Sequence, residues 1–164
     1  MTHAIIPGSF DPITSGHLDI IKRASALYDK VTVVIAINES KNYTFSKEAR
    51  LTLINDAVKN IPNVNVESTD GMLFDYAASA GFPVIIKGVR NKTDFQYELK
   101  MAQINRDLSE KRYLRTVCTL FMPASTKYAR ISSSYVKKLL EKGKDCKKYV
   151  PNDELLKKMY KERP

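Results

Sequence analysis

The chain has 164 residues, 43% of them hydrophobic, and a formal net charge of +9 at neutral pH. That length supports one domain with a sizeable core, and no run approaches the roughly 18 consecutive apolar residues needed to cross a bilayer. Ten Lys/Arg and five Asp/Glu from Lys137 to Pro164 supply +5 of the charge; because acids interleave there, a solvated or oligomer-facing surface explains the charge better than a nucleic-acid partner.

The first element is a strand at 3–7, opened so close to Met1 that no signal peptide precedes it, which points to a cytoplasmic protein. The string Gly8-Ser9-Phe10-Asp11-Pro12-Ile13-Thr14-Ser15-Gly16-His17 follows, then a helix over 16–28 with Leu18, Ile20, Ile21, Ala24 and Leu27 at apolar positions. His17 falls in the first helical turn, where free N–H groups and the helix dipole favour an anion. Gly8 allows a tight turn, and Gly16 lets the start of the helix crowd a ligand. Ser9, Thr14 and Ser15 add hydroxyls.

Val31–Ile37 is a continuous β-rich run, as expected of a strand covered on both faces, and Lys41 stands just beyond it. A helix over 46–59 is capped by Ser46. A strand at 63–67, a helix at 71–80 and a strand at 84–87 come next. The last of these ends in Lys87-Gly88-Val89-Arg90, two cations that suit a pair of phosphate-bearing ligands or, more plainly, salt bridges to neighbouring acids. A helix over 93–111 has Thr93 and Asp94 as cap candidates, and its spacing places Leu99, Met101 and Ala102 in a core. A strand at 115–122 contains Cys118. Helices at 133–142 and 152–161 close the chain, with Cys146 in the Gly143–Pro151 loop between them. Two cysteines so placed read as reduced thiols, with no ligand cluster for zinc. Ile131-Ser132-Ser133-Ser134 heads the first of these helices; capping uses one serine, and the others offer hydroxyl and N–H groups to phosphates.

Strands alternating with helices imply right-handed crossovers, hence a single Rossmann-like doubly wound α/β domain with a central five-stranded parallel sheet and C-terminal helices. Ligands in such sheets bind beyond the carboxyl ends of the strands, where the strand order reverses. Gly8–His17, the loop after Ile37, the loop after Ile86 and the segment after Met122 therefore converge on one edge.

The Gly8–His17 string resembles the N-terminal signature of the nucleotidyltransferase superfamily, whose Thr/His-x-Gly-His element is here Thr14-Ser15-Gly16-His17. Within it, the chain is most similar, almost end to end, to the bacterial phosphopantetheine adenylyltransferases. Glu39-Ser40-Lys41, Lys87–Arg90, Asp94–Glu98 and Ile131–Ser134 carry the likeness further. Ile131–Lys137 is closer to these enzymes than to the Ile-Ser-Ser-Thr-x-Ile-Arg of many nicotinate and nicotinamide mononucleotide adenylyltransferases. The resemblance implies transfer of AMP from ATP to 4′-phosphopantetheine, giving dephospho-coenzyme A and pyrophosphate.

By the same resemblance, His17 stabilises the transition state, and Ser9, Lys41, Leu73, Lys87 and Asn105 bind phosphopantetheine. Ser9, Phe10, His17, Gly88, Val89, Arg90, Glu98 and the run Tyr128, Ala129, Arg130, Ile131, Ser132, Ser133 and Ser134 bind ATP. Lys87 stands where the family usually has arginine, keeping the charge without the bidentate fork; Arg130 stands where an aromatic is commoner. Mg²⁺ is implied, held mainly by triphosphate and water, as are a homohexamer and the absence of nucleic-acid and membrane partners. Other readings are a nucleotidyltransferase for a mononucleotide, glycerol phosphate or flavin phosphate, a nucleotide sensor without catalysis, or a basic nucleic-acid-binding protein.

Overall fold

The computed structural model describes residues 1–37 and 41–163. Its elements, in chain order, are β1 (His3–Gly8), α1 (Ser15–Ser25), β2 (Lys30–Ala36), α2 (Lys47–Val58), β3 (Val64–Thr69), α3 (Leu73–Ser79), β4 (Val84–Val89), α4 (Lys92–Tyr113), β5 (Thr119–Pro123), α5 (Ser133–Glu141) and α6 (Asp153–Lys161). The five strands form one parallel sheet in the order β3-β2-β1-β4-β5. The chain winds outward from β1 to β3, then returns to place β4 beside β1. The order thus reverses between β1 and β4, and a crevice opens beyond Gly8 and Lys87–Val89.

Side-chain alternation along the strands divides the core between the two faces. Ala4, Ile6, Val31, Val33 and Ile35 face the larger cluster, packed by Ile20 and Ile21 of α1, Leu53 and Ile54 of α2, and Val136 and Leu156 further on. Ile5, Val34 and Ile85 face the other side, against Phe74 and Ala77 of α3 and Val117. Both faces of β2 are covered, which explains its unbroken apolar run.

Three local expectations are corrected. Asn91, not Thr93 or Asp94, caps α4, its side chain accepting the Asp94 N–H at 2.9 Å. The last strand starts at Thr119 rather than 115, because the buried Val117 N–H donates to Ser109 Oγ at 2.9 Å instead of joining the ladder. In α4 the buried residues are the polar Asn105 and Ser109, whereas Leu99 is exposed and Met101 and Ala102 are half-buried. The cysteines are free thiols, Cys118 exposed and Cys146 buried.

Candidate functional site

The crevice is a cleft of about 400 Å³. Its wall is built from the β1 end and the turn into α1 (Gly8, Ser9, Phe10, Gly16, His17), Lys41, the β4 end (Lys87, Gly88, Arg90), Asp94 and Glu98 of α4, and Tyr128 with Ile131–Ser134. All four sequence segments assigned to this edge contribute, except that residues 38–40, including Glu39 and Ser40, lie outside the described residues. Leu73, Val89, Asn105, Ala129 and Arg130 do not line it: Leu73 packs on the second core face, Asn105 is buried in α4, and Arg130 is exposed.

His17 is held by the helix it begins. Thr14 is the N-cap of α1, and its hydroxyl accepts the His17 N–H at 3.3 Å while His17 Nδ1 accepts the Thr14 N–H at 3.1 Å. The imidazole thus completes a reciprocal capping box, the part usually given to Glu or Gln. A ring nitrogen that accepts from a backbone N–H carries no proton, so the neutral ring keeps its proton on Nε2. Burial, seconded by the positive charge of Arg90, lowers the His17 pKa from 6.5 to about 4. At neutral pH His17 is therefore a fixed, uncharged donor rather than a cation.

The rest of the turn is tightly filled. The Phe10 ring meets His17 edge-on, with centroids 5.1 Å apart, and a Cβ on Gly8 would stand 3.0 Å from that ring. This explains a glycine at position 8. Gly16 is less constrained, since a Cβ there would reach Tyr128 at an ordinary 3.5 Å. The Ser15 N–H is taken by the Tyr149 carbonyl at 2.8 Å; among the described residues, the Gly16 N–H is the first-turn donor without a protein acceptor. A second helix start faces the same cleft. At α5, Ser132 Oγ accepts the Tyr135 N–H and the Ser133 hydroxyl donates to the Pro12 carbonyl at 2.8 Å. Two of the three serine hydroxyls are thus engaged; among the described residues, the Ser134 hydroxyl and the N–H groups of Ser133 and Ser134 are left without a protein partner.

The cations flanking Gly88 have acidic partners. Lys87 Nζ lies 3.0 Å from Glu98 Oε2, both side chains mostly buried, and the Arg90 guanidinium meets Asp94 at 3.3 Å while also reaching the Ile131 carbonyl. The two bridges tie the end of β4 to the start of α4. Lys41 also lines the cleft and is exposed.

Sequence reasoning passed over two charges in the site's frame. Asp11, 5% exposed, accepts the Phe45 N–H at 2.9 Å and the Thr44 N–H at 3.0 Å, and pairs with Lys137 at 3.0 Å. Arg50, 2% exposed, donates to the Ser9 carbonyl at 2.9 Å and stacks on Tyr43. A carboxylate inside the otherwise apolar Phe10–Ile13 stretch was the available signal for the first.

A parallel α/β sheet with two helix starts, a neutral histidine donor and paired cations at its switch point defines a Rossmann-like domain of the nucleotide-handling kind. Residues 5–139 match the cytidylyltransferase-like family, and the chain belongs to that family of nucleotidyltransferases. Among solved structures it is similar to a protein described as a nicotinate-nucleotide adenylyltransferase from Vibrio parahaemolyticus, with a TM-score of 0.70 at 20% identity over 99% of this chain and 98% of that one. It is also similar to the lipopolysaccharide core biosynthesis protein from Thermoplasma volcanium, with a TM-score of 0.53 at 22% identity over 76% of this chain and 97% of that one. At these identities the likeness shows a shared fold.

Proposed function

We propose that the protein transfers AMP from ATP to 4′-phosphopantetheine, releasing pyrophosphate and forming dephospho-coenzyme A. The observation that carries the reading is the meeting, in one cleft, of the Gly8–His17 turn with Lys41, Lys87, Arg90 and Ile131–Ser134. Adenylyl transfer is supported by the family and by the paired helix starts. The particular acceptor rests on Ile131-Ser132-Ser133-Ser134-Tyr135-Val136-Lys137 and on the likeness that runs through Lys87–Arg90 and Asp94–Glu98.

The acceptor is already an anionic phosphate, so no side chain has to generate a nucleophile. One of its oxygens attacks the α-phosphorus of ATP, and the bond to the β-phosphate oxygen breaks to release pyrophosphate. Catalysis then consists of alignment and of stabilising charge as it moves from acceptor to leaving group. His17 Nε2–H donates to the oxygens of the α-phosphate; being neutral and braced by Thr14, it needs no rearrangement to do so. Ser9, Lys41 and Lys87 hold the acceptor phosphate, with Lys87 exchanging Glu98 for it. Arg90, the Gly16 N–H and the start of α5 hold the triphosphate, while Phe10, Gly88 and Tyr128 shape the nucleotide side. The pantetheine arm runs toward α3 and α4, the side carrying Leu73 and Asn105.

The described residues include no group of three or more His, Cys, Asp or Glu placed to cage a metal ion. Asp94 and Glu98 face cations instead. Magnesium would enter with the nucleotide, held by phosphates and water as the resemblance implies, and no step is assigned to a protein-bound metal. No described helix is long and apolar enough to cross a membrane; a cytoplasmic homohexamer without nucleic-acid partners completes the reading. Incubation with ATP, magnesium and 4′-phosphopantetheine, followed by mass spectrometry, tests it: dephospho-coenzyme A is the expected product, and unchanged substrates would refute it.

A further inference from the structure

Asp11 does not line the cleft, yet two arms of the site converge on it. Its Oδ1 accepts the Phe45 N–H, and its Oδ2 accepts the Thr44 N–H and faces the Lys137 ammonium. Thr44 and Phe45 end the segment that carries Lys41, and Lys137 lies one helical turn beyond Ser133 in α5. The same segments are braced a second time: Arg50 reaches from α2 to the Ser9 carbonyl, and the Ser133 hydroxyl reaches the Pro12 carbonyl. Lys41 and Ser132–Ser134 therefore stand on arms joined through one carboxylate in the His17 turn.

Burying the Asp11 carboxylate against a half-buried lysine carries a desolvation cost that their attraction does not reliably repay, so the pair is a poor device for stability alone. What such a pair does well is fix one arrangement among several, because each alternative leaves the buried Asp11 carboxylate without a partner. The two backbone N–H bonds add direction to the charge.

The geometry points to Asp11 as a positioning residue for nucleotidyl transfer, one that sets the Lys41 arm and the serine end of α5 against His17. It acts on both substrates at once, since the arms assigned to acceptor and nucleotide hang from the same group. This inference rests on the adenylyl-transfer reading for its kinetic form. Misplacing reacting groups by about 1 Å costs about a hundredfold in rate, and that scale is expected when the carboxylate is neutralised.

The test uses the whole chain with Asp11→Asn, Lys137→Met, Lys137→Arg and the Asp11→Asn/Lys137→Met double variant. Steady-state rates with ATP and 4′-phosphopantetheine are taken well below each variant's melting temperature, alongside calorimetric titration with ATP. Asp11→Asn should lose about a hundredfold in kcat/KM for both substrates, Lys137→Met a smaller factor, and Lys137→Arg little. The double variant should lose no more than Asp11→Asn, because the two groups act as a unit. Wild-type kinetics in Asp11→Asn, a loss confined to melting temperature or to one substrate, or additive losses in the double variant would each overturn the proposal. Should Asp11→Asn fail to fold, the lysine variants decide: equal kinetics in Lys137→Met and Lys137→Arg overturn it, and a loss in Lys137→Met alone supports it. If the wild type binds ATP but does not use phosphopantetheine, the acceptor assignment fails. Asp11 is then judged by ATP affinity, weakened in Asp11→Asn and Lys137→Met if the proposal holds and unchanged if it does not.

Discussion

Protonating His17 is the perturbation that the site's electrostatics oppose most directly. Its pKa is lowered from 6.5 to about 4, chiefly by burial and secondly by Arg90. At about 1.4 kcal/mol for each pH unit, this favours the neutral ring by about 3 kcal/mol. Because the folded value lies below the unfolded one, the unfolded chain binds the extra proton between those limits. The contribution is therefore complete above pH 6.5 and is lost as the pH falls toward 4. In denaturant titrations across this window, wild type should lose about 3 kcal/mol of unfolding free energy relative to His17→Gln as the pH falls from 6.5 toward 4. In parallel, nitrogen-15 NMR of the imidazole should show the Nε2–H tautomer at neutral pH, with a midpoint near 4 that rises in Arg90→Gln. A midpoint near 6.5, or an Nδ1–H tautomer, would refute the argument that His17 works as a neutral donor.

His17→Ala should cut turnover by about a hundredfold or more while leaving ATP affinity within a few-fold, because the lost donor acts on charge that develops in the transition state; equal losses in both, by rapid-quench kinetics and calorimetry, would contradict this. Lys87→Ala should raise the KM for the phosphorylated acceptor and destabilise the fold by about 1–3 kcal/mol, since it strands Glu98. Lys87→Arg should keep both, and acceptor titrations with thermal melts distinguish the cases. Ser109→Ala should cost about 1–3 kcal/mol in denaturant unfolding, because the buried Val117 N–H loses its acceptor, while kinetics stay near wild type.

The strands and crossovers were legible because local sequence determines them. Val31–Ile37 declares a doubly covered strand, and Ser46 accepts the Ala49 N–H as the cap it was read to be. The edge where ligands gather followed from topology alone, and the cleft holds Ser9, His17, Lys41, Lys87, Arg90 and Ser132–Ser134. What escaped were partnerships between distant segments. Asp11 and Lys137 are 126 positions apart, and Arg50 meets Ser9 across 41; no periodicity announces either. Val117 sits in a strand-like string, but a serine eight residues earlier takes its N–H and shortens the strand. In α4, helical spacing put Leu99 inside, whereas the packed face is the one bearing Asn105 and Ser109. For Lys87 and Arg90 the sequence alone leaves salt bridges and ligand binding both open; both cations have acidic partners and both line the cleft.

The proposed reaction is adenylyl transfer to a phosphopantetheine acceptor. Its most direct test is pyrophosphate release from ATP with a panel of phosphorylated acceptors: 4′-phosphopantetheine, nicotinate mononucleotide, glycerol phosphate and flavin mononucleotide. 4′-Phosphopantetheine should give the highest kcat/KM, by at least about a hundredfold, the scale on which a site built for one acceptor rejects another. A higher value for any other acceptor, or no pyrophosphate with all four, would contradict it.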